Sequence, residues 1–90
     1  MEKNEVGPVL RSCDESRAVA EVILETHQEA KVTDRGSYLR VSVPGFCHLN
    51  RAKVEEKLGR PFPLPRALEA IMPSFAGTIR FKDDSVTWQI

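Results

Sequence analysis

The sequence predicts an α+β fold: a small compact domain of two βαββ-like halves, with antiparallel hairpins and two to three helices. Three observations carry that reading. Apolar residues recur at helical spacing between 18 and 26, whereas residues 38–43, 79–82 and 86–90 alternate apolar and polar with the period of a half-buried strand. Pro44-Gly45 breaks the pattern near the midpoint of the 90 residues. Residues 58–77 then hold four of the six prolines, two of the five glycines and two of the four phenylalanines. Fixed or permissive backbone interleaved with large apolar side chains suits a rigid presented surface better than a flexible linker.

A chain of this length buries a little over roughly 60% of its unfolded surface, which leaves little room for a deep enclosed pocket or a large cofactor. Thirteen basic and thirteen acidic residues cancel, and no lysine or arginine block marks a grip on nucleic acid. No apolar run reaches the ~18 residues of a membrane span, and the start of the chain carries no signal-peptide core. A cytoplasmic protein is expected, with Cys13 and Cys47 as reduced thiols. A contact between them stays open.

Residues 1–5 are polar without periodicity and read as a flexible N-terminal tail, leaving 6–90 as one domain with subdomains 6–45 and 46–90. Pro8 cannot donate to a ladder, which predicts a strand over 8–11 with Pro8 at its start or on a sheet edge. Ser12 with Glu15 fits a capping box, and Asp14 is a competing cap. The helix that follows turns Ala18, Val19, Val22, Ile23 and Thr26 inward and ends near His27. Runs 31–34 and 38–43 flank Arg35-Gly36-Ser37 and form a hairpin. Residues 46–49 read as a strand. Asn50 is the N-cap of a second helix starting near Arg51, with Leu49 and Val54 as its staple, and Gly59 and Pro61 end it. Pro65 opens a short third helix that Pro73 closes. The strand pattern returns from Gly77, with Asp83-Asp84-Ser85 as the turn of a last hairpin. Trp88 and Ile90 point the same way and both belong to the core, so losing the last three residues should be damaging.

Residues for chemistry are few. His27 reads as a surface residue near a helix C-terminus. His48 follows Cys47 directly, and neighbours on a strand point to opposite faces, so the two make a poor thiolate and base pair. Asp14-Glu15, Glu55-Glu56 and Asp83-Asp84 are adjacent acids that diverge on a helix or face water in a turn. No ExxH, HxxxH or CxxC spacing and no glycine-rich phosphate loop occurs. What remains is a surface. Arg60, beside Pro61 and Phe62, fits either an interface anchor or an arginine neutralising the last carbonyls of a helix. Phe62 and Phe75 read as core before interface. The small residues around Phe75 in Ser74-Phe75-Ala76-Gly77 would allow another backbone to approach closely.

Several stretches together resemble the effector proteins, also called regulatory or coupling proteins, of bacterial multicomponent diiron monooxygenases. They are Val6-Gly7-Pro8, Asp34-Arg35 with Tyr38-Leu39-Arg40-Val41, Leu49-Asn50-Arg51, Glu55-Glu56-Lys57-Leu58-Gly59-Arg60-Pro61-Phe62 and Ser74-Phe75-Ala76-Gly77-Thr78-Ile79. The likeness is strongest to the toluene and alkene oxidising type, with the phenol hydroxylase and soluble methane monooxygenase effectors more distant. It implies a protein that carries no cofactor or metal and has no catalytic residue. Such a protein docks on the diiron hydroxylase component and raises turnover and the coupling of electron use to hydroxylation. Carried over residue by residue, it implies hydroxylase-binding roles for Asn4, Gly7, Val54, Glu55, Glu56, Leu58, Gly59, Arg60, Phe62, Ser74 and Phe75. No nucleic-acid or membrane partner is implied, and the free protein is expected to be monomeric. Pro63, Pro65 and Pro73 depart from the family pattern by stiffening the connection after the second helix, and the tail is short beside that of the methane system. The alternatives are a small-molecule-binding regulatory domain, to which βαββ halves also lend themselves, and a minimal thiol enzyme using Cys47.

Overall fold

The computed structural model describes residues 4–90. Residues 1–3 of the expected tail lie outside that range. The elements run β1 (Glu5–Arg11), α1 (Asp14–Thr26), β2 (Lys31–Asp34), β3 (Tyr38–Pro44), β4 (Phe46–Asn50), α2 (Arg51–Leu58), α3 (Arg66–Ile71), β5 (Ser74–Ala76), β6 (Thr78–Phe81) and β7 (Ser85–Gln89). They build a four-stranded antiparallel sheet ordered β2-β3-β1-β5 and a three-stranded one ordered β4-β7-β6. The α+β expectation holds, with three helices. The first half is βαββ, and β5 of the second half completes the first half's sheet.

Alternation decides which side of each strand is dry. Leu39, Val41 and Val43 are buried while Tyr38, Arg40 and Pro44 are exposed. On the second sheet Cys47, Leu49, Val86 and Trp88 turn inward. These side chains join Val19, Val22 and Ile23 of α1, Val54 of α2 and Leu68 of α3 in one core. Trp88, the largest fully buried side chain, pairs with Cys47 on one side and Ile79 on the other. His27, expected at the surface, is half-buried instead, and its Nε2 accepts the His48 backbone N–H at 3.0 Å. That bond ties the end of α1 to β4.

Five further expectations are corrected. Glu5 and Asn4 are not a free tail: Glu5 pairs with Pro44 at the start of β1, and the Asn4 carbonyl accepts the Gly45 N–H at 2.7 Å. Pro8 is buried in the second of two inner strands rather than at an edge. The β1–β3 register tolerates it, because it pairs Val6 with Val43 and Val9 with Arg40 but leaves Gly7 and Pro8 out of the ladder. The capping box does not form. Cys13 takes the N-cap position without capping a backbone N–H, its Sγ lying 3.3 Å from the Ser16 hydroxyl instead; Glu15 reaches Arg60, and the Ser16 hydroxyl donates to the Arg11 carbonyl. Ile90 is 68% exposed, beyond the end of β7. Truncation of the last three residues therefore acts through Trp88. Thr26, expected to turn inward, is exposed instead, because its hydroxyl donates back to the Val22 carbonyl.

Candidate functional site: the α2 turn and the β1–β5 cleft

Asn50 starts α2 by accepting the Lys53 N–H at 3.1 Å, and Val54, fully buried, anchors the helix to the core. Gly59 ends it with φ 73° and ψ 21°, the left-handed conformation that glycine adopts without strain, and donates its N–H to the Glu55 carbonyl at 2.8 Å. The same residue closes the turn a second way. The Glu55 carboxylate accepts the Phe62 N–H at 2.8 Å. Phe62 is buried at 1% exposure, with Leu58, Leu64 and Ala67 packed against the same core. The turn over 59–63 is thus pulled in at both ends, and it leaves Gly59, Arg60, Pro61 and Pro63 exposed.

Side chains from α1 hold the outside of this segment. Arg60 Nη2 lies 3.0 Å from Glu15 Oε2, and Lys57 pairs with Glu25 and, at 3.7 Å, with Glu21. The Glu15 carboxyl is held below its ordinary range, first by its own backbone N–H and then by Arg60. The bond to Glu25 raises Lys57 above the ordinary lysine value. Farther along, Arg11 donates to the Ala70 carbonyl at 2.7 Å, placing a cation at the end of α3. The Leu64–Pro65 peptide is cis.

The second group of candidates meets on the first sheet. Gly7 pairs with Ala76, Pro8 with Phe75 and Val9 with Ser74. Gly7 has φ 140°, and a Cβ there would lie 2.4 Å from the Val41 carbonyl oxygen, so only glycine fits. With no side chain at Gly7 and small ones at Ser42, Ser74 and Ala76, the outer face sinks into an open cleft of about 480 Å3 rimmed by Glu5 and Arg40. Phe75 is 42% exposed at its side.

The structure therefore sorts the candidates into two clusters and an outlier. Glu55, Glu56, Leu58, Gly59 and Arg60 share α2 and its turn; Gly7, Ser74 and Phe75 share the cleft; Asn4 stands apart beside Gly45. Val54 and Phe62 turn their side chains into the core and hold the surface from behind. Phe75, read as core from the sequence, is at the surface. Arg40 and Ser42 were missed as cleft residues. The alternation of β3 already turned them outward, but nothing local revealed that β1 and β5 would lie beside them.

Neither cluster assembles reactive groups. Burial pushes the Cys47 thiol up to about 12, so it is protonated at neutral pH, against the thiol-enzyme alternative. Cys13 and Cys47 are both free thiols. Among the described residues no three His, Cys, Asp or Glu side chains gather as a metal site, and no helix is long and apolar enough to cross a membrane. What the arrangement offers is shaped, fixed surface. The sequence profile of the MmoB/DmpM family matches residues 4–89. The chain belongs to the MmoB/DmpM family. It is 39% identical over 90 residues to the alkene monooxygenase system effector subunit of Xanthobacter autotrophicus (strain ATCC BAA-1158 / Py2), covering 98% of this chain and 88% of that one. A chain of the phenol hydroxylase–regulatory protein complex superposes with TM-score 0.84 at 27% identity, over 96% of this chain and 98% of that one. The soluble methane monooxygenase regulatory protein B shares the fold, with TM-score 0.73 at 24% identity over 99% of this chain and 67% of that one. The Xanthobacter relative is named an effector subunit, and the matching structures are named for a phenol hydroxylase–regulatory protein complex and for a regulatory protein.

Proposed function

We propose that this protein is the effector of a multicomponent monooxygenase. It binds the diiron hydroxylase component and raises both turnover and the fraction of electrons that end in product. The observation that carries the reading is the turn after α2. Its exposed residues, Gly59 to Pro61, are fixed from inside by Glu55 and Phe62 and from outside by Glu15, within a chain of the MmoB/DmpM family. A surface ordered before docking loses little entropy on docking. We assign the contact to Glu56, Gly59 and Arg60, with Glu55 and Leu58 beneath them, and a second contact to Gly7, Ser74 and Phe75. The protein acts in the cytoplasm as a monomer until it meets its partner.

A protein without reactive groups changes another enzyme's rate only by binding one of its conformations more tightly than another. Reversing a 1:99 population to 99:1 takes roughly 5.5 kcal/mol of differential binding. The rigid turn supplies such discrimination, because it cannot reshape itself to fit both states equally well. Steady-state hydroxylation by the cognate hydroxylase and its electron-transfer partners, with this protein titrated in, tests the proposal. A saturable rise in product per reductant consumed, levelling near one effector per active site, is expected. No change in rate or coupling with folded protein contradicts it.

A further inference from the structure

Arg60 carries the positive charge of the proposed docking turn, and its side chain does not stand free. Its Nη2 lies 3.0 Å from Glu15 Oε2, across 45 positions of sequence. The remaining guanidinium donors stay available to a partner, since half of the side chain is exposed. Glu15 is the more covered of the two, with 36% of its side chain exposed against 50% for Arg60. It is also fixed on its own element. Glu15 stands in the first turn of α1, where the helix dipole favours a carboxylate, and its own backbone N–H bonds it there. The arginine of one helix end is therefore aimed by an acid of another helix.

The surroundings leave that task to Glu15. Beside the pair, between α1 and the end of α2, lies an open hollow of about 250 Å3. The other charged side chains that line it are paired among themselves, Asp14 with Arg17 and Glu21 with Lys57. Glu55, on the turn itself, is engaged by the Phe62 N–H. Among the described residues Glu15 is the one ion-pair partner of Arg60. So exposed a pair adds little to the stability of the fold. Its larger consequence falls on docking. A long side chain that must be frozen on contact loses rotamer freedom at that moment, whereas a guanidinium already aimed has lost it beforehand.

We infer, resting on the effector role proposed above, that Glu15 is a positioning residue for hydroxylase docking: it makes no contact of its own with the partner and acts through Arg60. Titrating the full chain and its variants into the hydroxylation assay separates the half-saturating concentration from the plateau. Glu15→Ala should raise the half-saturating concentration about fivefold and keep the plateau of product per reductant, and Arg60→Ala should raise it about tenfold. In the double variant Glu15→Ala/Arg60→Ala the rise should match that of Arg60→Ala alone within about twofold, because Glu15 then has nothing left to aim. Glu15→Gln keeps an oxygen for the guanidinium without the charge and should raise the value only about twofold. Should Glu15→Ala not fold, Glu15→Gln takes its place, its smaller rise again vanishing beside Arg60→Ala. Rises that multiply in the double variant place Glu15 in direct contact with the hydroxylase and overturn the inference. An unchanged value in folded Glu15→Ala or folded Arg60→Ala overturns it as well. A natural chain that fails to activate the hydroxylase overturns the effector role itself, and the inference with it.

Discussion

The turn after α2 and the cleft between β1 and β5, the two contacts we propose, are held in opposite ways. The turn is held by side chains: Glu55 on the Phe62 N–H, Glu15 on Arg60, and the Phe62 ring in the core. The cleft is held by backbone, through a ladder that β1 shares with β3 and β5 and through the close approach of Gly7 to Val41. Side-chain clamps can be loosened one at a time with the fold intact. A backbone contact has no intermediate setting, so the cleft should fail with the sheet.

The largest effect is expected where the turn's clamp is also core. Phe62→Ala should cost about 3–5 kcal/mol by leaving a cavity beneath the turn, read as a lowered denaturant midpoint. Such a loss reports on stability first and on docking only if the variant still folds. Gly7→Ala should cost about 2–3 kcal/mol, since its Cβ meets the Val41 carbonyl and its φ is one that alanine avoids. Thermal unfolding should show one lower transition rather than a loosened cleft. Two transitions would break the contrast drawn here.

Glu55→Ala should cost about 1–2 kcal/mol, because the Phe62 N–H loses its charged acceptor at a half-buried site. Here the contrast sharpens: amide exchange should quicken around residues 59–63 and stay unchanged in β1, β3 and β5. Equal quickening in the sheet would contradict it. The outer clamp is weaker, below about 1 kcal/mol for so exposed a pair, and it depends on pH. The folded Glu15 carboxyl titrates below its ordinary 4.5. Its contribution is therefore complete above 4.5 and is lost as pH falls through that value and then through the lower folded one. Comparing the acid limb of the stability curve for the natural chain and Glu15→Gln should show the difference shrinking there. Smallest in consequence, Cys47 should resist alkylation at pH 8 until the chain unfolds.

How legible each region was follows from the same contrast. The turn was readable because its determinants are neighbours in sequence: Asn50 as cap, Gly59 as the left-handed stop, Pro61 as the residue that cannot continue. The cleft was not. β5 is three residues between Pro73 and Gly77, too short to show a period, so it read as a loop. That Pro8 could sit in an inner strand depended on a gap in the β1–β3 register that only the partner strand defines. The missing capping box is a related failure. Glu15 had the right spacing from Ser12, but Arg60, 45 positions away in the chain, competed for its carboxylate and won. Ile90 kept the alternation of β7 but lies past its end. Of the proposed contact residues, the resemblance supplied the identities, while burial separated the exposed Glu56, Gly59 and Arg60 from the buried Val54 and Phe62.

The most direct test of the docking turn is hydrogen exchange on this chain alone and with saturating cognate hydroxylase. Slower exchange in the peptide spanning residues 55–64, together with the one spanning 74–77, is the result this account predicts. Unchanged exchange across residues 55–64 in a complex shown to be active would contradict it, and would move the effector surface elsewhere on the molecule.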